Sequence, residues 1–589
     1  MTLLPDNPLI VQSDRTLLLH TVRSVVDDRG MPAKDAQGKP LTEEHPRFSA
    51  ARNALSTFAE LEKSPDYLHT YRVTPVSVWN AAALGFTAEE IESRIEEFSC
   101  VPIPPNVIVD IASWLSRYGL LRIERSGERF ELVSDDEGAL EEVLSFNSVA
   151  QWVVIDEQQR LWVRATDRGT IKQALIRIGY PVDDRGGYLE GDPFPIPLAR
   201  ETAEGKPFAL RRYQNAAAEC FYREGSVLGG NGVIVLPCGA GKTVVGLGVM
   251  NLVGEKTLIL TTNTVAVRQW REEILDKTDL RPEDVGEYTG EGKRVCPVTI
   301  TTYQMLTWRR TKTAEFEHFA LFSKENWGLV IYDEVHLLPA PIFRVTAALQ
   351  ARRRLGLTAT LVREDEKEDE VFCLIGPKRY EVPWKVLESQ GFIATAECVE
   401  VRVPLDESQR SRYLSADARR KFRVASENPA KVAVVRRLIQ RHSGGRILII
   451  GQYLDQLRAL AKNLGVPLIT GKTPTCERSR LYDAFRDGRE RILIVSKVGN
   501  FAIDLPDANV AIQISGTFGS RQEEAQRLGR ILRPKSDGGR ASFYAVVTLG
   551  SRDQEFAQKR QLFLTQQGYS YEIVEAATLT AEPDPTVHA

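Results

Sequence analysis

The run Leu236-Pro237-Cys238-Gly239-Ala240-Gly241-Lys242-Thr243 has the residue types and spacing of a phosphate cradle. The apolar run Gly232–Val235 precedes it, and a helix-like run, Val244–Met250, follows. A strand, a glycine-bearing loop and a helix start, in that order, aim backbone N–H groups and the positive end of a helix at an anion. Cys238, Gly239, Ala240 and Gly241 would line the cradle. Lys242 would reach the β- and γ-phosphates of a nucleotide, and Thr243 would hold Mg²⁺. The strict pattern asks for glycine where Leu236 stands.

Three other clusters carry chemistry. Asp333-Glu334-Val335-His336 closes the apolar run Leu329–Tyr332. Carboxylates at the end of a buried strand are costly unless a cation or other partner meets them. Asp333 would bind Mg²⁺ through water, and Glu334 would orient or deprotonate an attacking water; alternatively the pair only caps the following turn. In Gln526-Arg527-Leu528-Gly529-Arg530-Ile531-Leu532-Arg533, Arg530 and Arg533 share one face of a helix. Two guanidinium groups there would supply arginine fingers to a phosphate, or would form a solvated basic helix. Gln214, in Arg211-Arg212-Tyr213-Gln214, could read an adenine edge or be a surface amide. Gly471-Lys472-Thr473 also spells the end of a phosphate loop, but Pro474 follows, so the reading there is a loop with no helix start.

The elements that position these residues repeat one pattern between about 232 and 549. Val233–Leu236, Thr257–Thr261, Val298–Thr302, Leu329–Tyr332 and Leu355–Thr358 form one set of short apolar runs. Ile447–Ile450, Pro467–Thr470, Ile492–Ser496, Ala511–Ile514 and Phe543–Thr548 form a second. Continuous apolar runs alternating with helices predict two α/β units with buried parallel strands. Ligands then sit beyond the strand C-terminal ends, where the motifs fall. Residues 376–430 read as a linker with a small helical insertion. Ahead of this region, Val76–Ala83, Ala88–Glu97 and Val107–Tyr118 read as helices. Leu120–Arg125 and Arg129–Val133 read as a hairpin, which together with the helices suggests a winged-helix-like piece. The Pro-rich Asp192–Pro197 reads as a boundary, and 28–46 and 577–589 as mobile polar stretches.

A chain of 589 residues is too long for one core. A net charge of −3 leaves a nucleic-acid partner open, because a channel can be locally basic on a neutral protein. The seven cysteines are scattered without a C-x-x-C pair, which argues against zinc, an iron–sulfur cluster or a disulfide framework. They read as small core hydrophobes. No apolar stretch approaches a membrane span, so a cytoplasmic protein is expected, or a nuclear one in a host with a nucleus.

The motif set resembles the superfamily 2 helicases and, more closely, the XPB family of DNA helicases and translocases. The resemblance is carried by Leu236–Thr243, Asp333–His336, Leu357–Asp365, Ser496-Lys497-Val498-Gly499, Ile503-Asp504-Leu505-Pro506 and Glu524–Arg530. Arg363-Glu364-Asp365 is similar to the family's R-E-D element, whereas Asn500 stands where an acidic residue is expected. The resemblance covers about 205–550. It implies two RecA-like domains in tandem (α/β, parallel sheets) with a small helical thumb and N-terminal α+β accessory domains. The implied boundaries are 1–130 (accessory, part winged-helix-like), 131–200 (similar to the damage-recognition region), 201–385 (first RecA-like domain), 386–425 (thumb-like insertion), 426–575 (second RecA-like domain) and 576–589 (flexible tail).

It further implies ATP and Mg²⁺ as cofactors, with Lys242, Glu334, Gln526, Arg530 and Arg533 catalytic and Asp504 at the nucleotide. DNA is the implied partner, with 3′→5′ movement. Contacts are expected from Thr262-Asn263-Thr264, Arg268, Thr301-Thr302-Tyr303-Gln304, Arg363, Glu364, Asp365, Gly451-Gln452, Ser496 and Lys497. Each could instead be a strand cap, except that Arg363, Glu364 and Asp365 could instead be part of a charged loop. A monomer and a nuclease partner are implied as well. The expected activity is ATP-dependent 3′→5′ DNA opening in repair of the nucleotide-excision type. A duplex-DNA translocase, or an ATPase acting as a conformational switch within a DNA-processing complex, are the alternatives.

Overall fold

The computed structural model describes residues 6–26, 33–34, 41–64, 67–127, 129–164, 167–185, 191–225, 229–308, 310, 318, 325–335, 351, 353–359, 375–496, 508–516, 528–529 and 540–581. The chain divides into two compact units, one of residues 1–236 with 241–381, the other of residues 237–240 with 382–589.

Three cores lie in the first unit. The first has a four-stranded antiparallel sheet in the order Leu9–Val11, Thr16–His20, Leu68–Arg72, Glu60–Lys63. Helices Phe48–Leu55, Pro75–Ala83, Ala88–Phe98 and Pro105–Arg117 pack with it. In Ala88–Phe98 the residues Ile91, Ile95 and Phe98 are buried on one stripe. Its first turn is closed by a reciprocal cap, in which Glu90 N donates to Thr87 Oγ1 at 3.2 Å and Thr87 N to Glu90 Oε2 at 2.9 Å. The sequence reading missed this sheet.

The second core is a five-stranded sheet, ordered Val182–Asp184, Leu121–Ser126, Arg129–Ser134, Leu161–Val163, Val153–Ile155. The expected hairpin is present as the middle pair of this sheet. It therefore belongs to a different core from the helices it was grouped with, and a boundary at 130 would cut the strand Arg129–Ser134. Asp184 is buried here with Arg168 and Lys172, the lysine Nζ 3.0 Å from Oδ2. Burial works against that carboxylate, and the two cations outweigh it, holding the group well below the usual range.

The third core is a seven-stranded, wholly parallel sheet. Its order is Val285–Tyr288, Val298–Thr302, Thr257–Thr261, Leu329–Asp333, Arg353–Thr358, Asn231–Val235, Lys378–Glu381. All five expected strands are there; the two outer strands were not expected. The Pro-rich stretch is tied to the body of the first unit: Asp192 N donates to Asn326 O at 3.0 Å and Phe194 N to Gly254 O at 2.8 Å, and just past it Ala199 N donates to Lys277 O at 3.0 Å.

The second unit repeats the design, in the order Leu468–Ile469, Ile492–Val495, Ile447–Ile450, Val510–Gln513, Ala541–Thr548, Ala396–Val403, Tyr571–Glu575, again parallel throughout. The stretch 386–425 is thus not a helical insertion throughout, because Ala396–Val403 is a strand of this sheet; the helices are Glu407–Ser415 and Ala418–Ser426.

Smaller expectations also change. Ala576–Ala581 is a helix rather than free tail, anchored by Leu579 in the core. Thr42–Glu44 pairs with Val22–Ser24 inside the stretch expected to be mobile. Cys220 and Cys476 are exposed, not core residues. A helix, Thr475–Arg486, does start after Gly471-Lys472-Thr473, with Pro474 as its N-cap. Proline's fixed φ suits a helix start. Among the described residues, no helix is long and apolar enough to cross a membrane, and no group of three or more potential metal ligands occurs.

Candidate nucleotide and nucleic-acid site

The strand Asn231–Val235 delivers the chain into the loop, and the helix Lys242–Val253 begins at its far end. Gly241 is the N-cap at φ 78°, and no side chain caps the helix. The first-turn amides of a helix have no partner within it, so an uncapped start leaves them to an anion. A Cβ on Gly241 would lie 2.6 Å from Gln214 Nε2. Only glycine therefore meets both the φ and the approach. Gln214 is buried at 4% exposure, and its Oε1 accepts from Arg211 N at 2.9 Å. The residue read as an adenine reader thus caps its own helix, with its amide nitrogen against the loop.

The carboxylates come from the end of a strand of the same sheet, separated from the loop's own strand by Arg353–Thr358. Asp333 is the last residue of Leu329–Asp333. Its Oδ2 accepts from Trp270 Nε1 at 3.0 Å, and its backbone carbonyl accepts from Tyr303 Oη at 2.7 Å. Gly246, one turn into the loop's helix, makes room for that indole, since a Cβ there would sit 2.6 Å from Trp270 Cη2. Glu334 then turns back with φ 49°, in the left-handed region. Its Oε1 lies 3.5 Å from Lys242 Nζ. The structure therefore brings Lys242, Asp333 and Glu334 together. Burial, followed by the charge of Glu334, pushes the Asp333 carboxyl up to about 6, against the opposing pull of Trp270 and Lys242.

This donor set fits a nucleotide phosphate with a divalent cation. The uncapped helix start and Lys242 suit the anion. Two adjacent carboxylates, one of them reluctant to ionise, suit a cation that would relieve their repulsion.

Trp270 and Tyr303 were not read as parts of this site. Tyr303 was expected on a DNA-facing loop and is instead buried beneath Asp333. Neither contact has a local signal, because each spans 30 or more residues.

The DNA candidates among the described residues lie at or just past strand ends or in the helices that follow, and several are already engaged. Asn263 Oδ1 caps its helix by accepting from Val265 N at 2.9 Å and Ala266 N at 3.0 Å, and Thr264 opens that helix. Arg268 pairs with Glu291 at 2.6 Å on the surface. Thr302 is a buried N-cap, and Gln304 beside it is exposed. Gln452 N donates to Ser515 Oγ at 2.8 Å, and Ser496 is buried. Arg363, Glu364, Asp365, Lys497, Asp504, Gln526, Arg530 and Arg533 lie outside the described residues.

The chain is 49% identical over 577 residues to the "DNA 3'-5' helicase XPB" of Mycobacterium tuberculosis, an alignment spanning 98% of this chain and 99% of that one. It belongs to the XPB family. The XPB of Kineococcus radiotolerans is likewise 49% identical, over 97% of both chains. The "General transcription and DNA repair factor IIH helicase/translocase subunit XPB" of Enterocytozoon bieneusi is 34% identical over 89% of both. The family model "ERCC3/RAD25/XPB C-terminal helicase" matches residues 387–588. Residues 207–363 match "Type III restriction enzyme, res subunit", and 35–158 match "Helicase conserved C-terminal domain". The XPB-specific match thus begins just ahead of the strand Ala396–Val403 and covers the second sheet.

Proposed function

We propose that this protein is an ATP-dependent 3′→5′ DNA helicase that opens DNA during repair of the nucleotide-excision type. The observation that carries the reading is the Lys242–Glu334 pair beside Asp333, at the mouth of an uncapped helix. Near-full-length similarity to proteins named as DNA 3′–5′ helicases supports it.

In this reading the loop amides and Lys242 bind the phosphates of ATP, and Thr243 and Asp333 hold Mg²⁺. The bound cation supplies charge neutralisation at the transferred phosphoryl group. Glu334 aligns the attacking water. Trp270 and Tyr303 fix Asp333 from two sides, so its carboxylate needs little reorganisation when the site fills. Asp504, Gln526, Arg530 and Arg533 are proposed to act on the nucleotide as well. Asn263, Thr264, Arg268, Thr302, Gln304, Gln452, Ser496 and Lys497, with Arg363, Glu364 and Asp365, contact the DNA backbone without regard to sequence. The protein works as a cytoplasmic monomer alongside a nuclease.

The test is ATP hydrolysis with and without forked DNA, for the wild type and Lys242→Ala, with strand separation read in parallel. DNA-stimulated hydrolysis and unwinding, both reduced at least about 100-fold in the variant, is the expected outcome. Stimulated hydrolysis without unwinding would favour the duplex translocase or the switch. Hydrolysis that survives in Lys242→Ala would overturn the site assignment.

A further inference from the structure

Trp308 follows the short helix Tyr303–Leu306, just past the C-terminal end of the strand Val298–Thr302. Of the eight tryptophans it alone is exposed, at 45%. Its ring lies 5.5 Å from that of His318, the two planes 33° apart. His318 in turn meets the Tyr288 ring edge-on at 5.6 Å, with Tyr288 Oη 3.0 Å from His318 Nδ1. Tyr288 is buried at 5% exposure in the core of the first parallel sheet. Three aromatic rings therefore run from core to solvent, and the outermost is the largest. Burial alone does not explain an indole placed at the solvent end of such a row.

The sequence around Trp308 points to the kind of ligand. Trp308-Arg309-Arg310-Thr311-Lys312 sets three cations within four residues of the indole. Gln304, proposed above as a backbone contact, is four residues away on the other side. Aromatic faces beside cations at a nucleic-acid surface take unpaired bases, because every base has a π-face whatever its sequence.

We propose that Trp308 is a stacking platform for an unpaired base of the DNA strand followed by the first unit. The inference rests on the helicase reading and deepens it. Phosphate contacts hold single and double strands alike, whereas a stacking indole takes only a base that has left its duplex. Backing by His318 and Tyr288 fixes the indole before the base arrives and lowers the ordering cost of binding.

The test uses the full chain with an oligothymidylate and with a blunt duplex of the same length, without nucleotide. Trp308→Ala is expected to weaken single-strand binding by about 5- to 100-fold. Duplex affinity and DNA-free ATP hydrolysis should stay as in the wild type. Trp308→Phe keeps a ring and should retain most of the single-strand affinity, while losing the part of the fluorescence quenching that comes from Trp308. Unchanged single-strand affinity in Trp308→Ala would overturn the proposal. So would equal losses on both DNAs, or a loss in Trp308→Phe as large as that in Trp308→Ala. A wild type that binds neither DNA would overturn the helicase reading with it; a wild type that binds both, with Trp308→Ala unaffected, would overturn this proposal alone.

Discussion

Asp333 is the residue whose environment sets a measurable limit on the proposed chemistry. Its carboxyl is pushed up to about 6 by burial and by Glu334. Binding of a cation needs the ionised form, which is lost as pH falls through that value. The acid limb of kcat/KM for ATP hydrolysis, which reports the free enzyme, is therefore expected near pH 6. Trp270 Nε1 donates to the charged carboxylate. Trp270→Phe removes that donor and should move the limb to higher pH, with kcat/KM at pH 7 falling several-fold. A limb that stays in place in the variant would show that another group titrates. Lys242, Asp333 and Glu334 were legible in the sequence because each belongs to a short motif whose residue types are needed in that order. The support beneath them was not. Gly246 admits Trp270, which reaches Asp333, and each step joins residues far apart in sequence.

At the scale of elements, the N-terminal sheet carries a pH-sensitive position. His69, on the strand Leu68–Arg72, is buried with its ring 5.1 Å from Phe48, edge-on. Burial, aided by Arg52, holds it well below the usual histidine value, at about 4. The folded form is therefore neutral where an unfolded histidine, with a value near 6.5, already takes up a proton. The resulting stability is fully present above that unfolded value and is lost as pH falls from about 6.5 towards 4, an effect of about 3 kcal/mol. The drop in Tm of this domain between pH 7 and pH 4.5 should shrink in His69→Phe; an equal drop would mean that the histidine is not the cause. Continuous apolar strands such as Thr257–Thr261 were legible because burial on both faces writes itself as an unbroken run. Ala396–Val403 was not, since it contains charged residues. Glu400 is only 1% exposed, yet Arg402 Nε lies 2.7 Å from Oε1 and Gln561 Nε2 donates to Oε2 at 2.8 Å. The glutamine comes from 161 residues away.

At the scale of the whole molecule, each unit holds one seven-stranded parallel sheet, and the alternation of apolar runs with helices anticipated both sheets. It did not anticipate that the second sheet begins well before its first expected strand. Ala396–Val403 pairs along its full length with Ala541–Thr548 and carries Tyr571–Glu575 on its other side. A fragment beginning at residue 426, where the sequence places the second domain, would lose that strand. Ala541–Thr548 would then present an open row of backbone N–H and C=O groups along an apolar strand, and Tyr571–Glu575 would have no strand to join. Such a fragment is expected to aggregate on expression, while one beginning at 382 stays soluble; light scattering of the two purified side by side would decide. Nicking the chain between 404 and 425, with both pieces retained, should leave the second unit folded. The seam along which this protein can be taken apart thus lies ahead of residue 396, and cuts made beyond it produce a sticky edge rather than a domain.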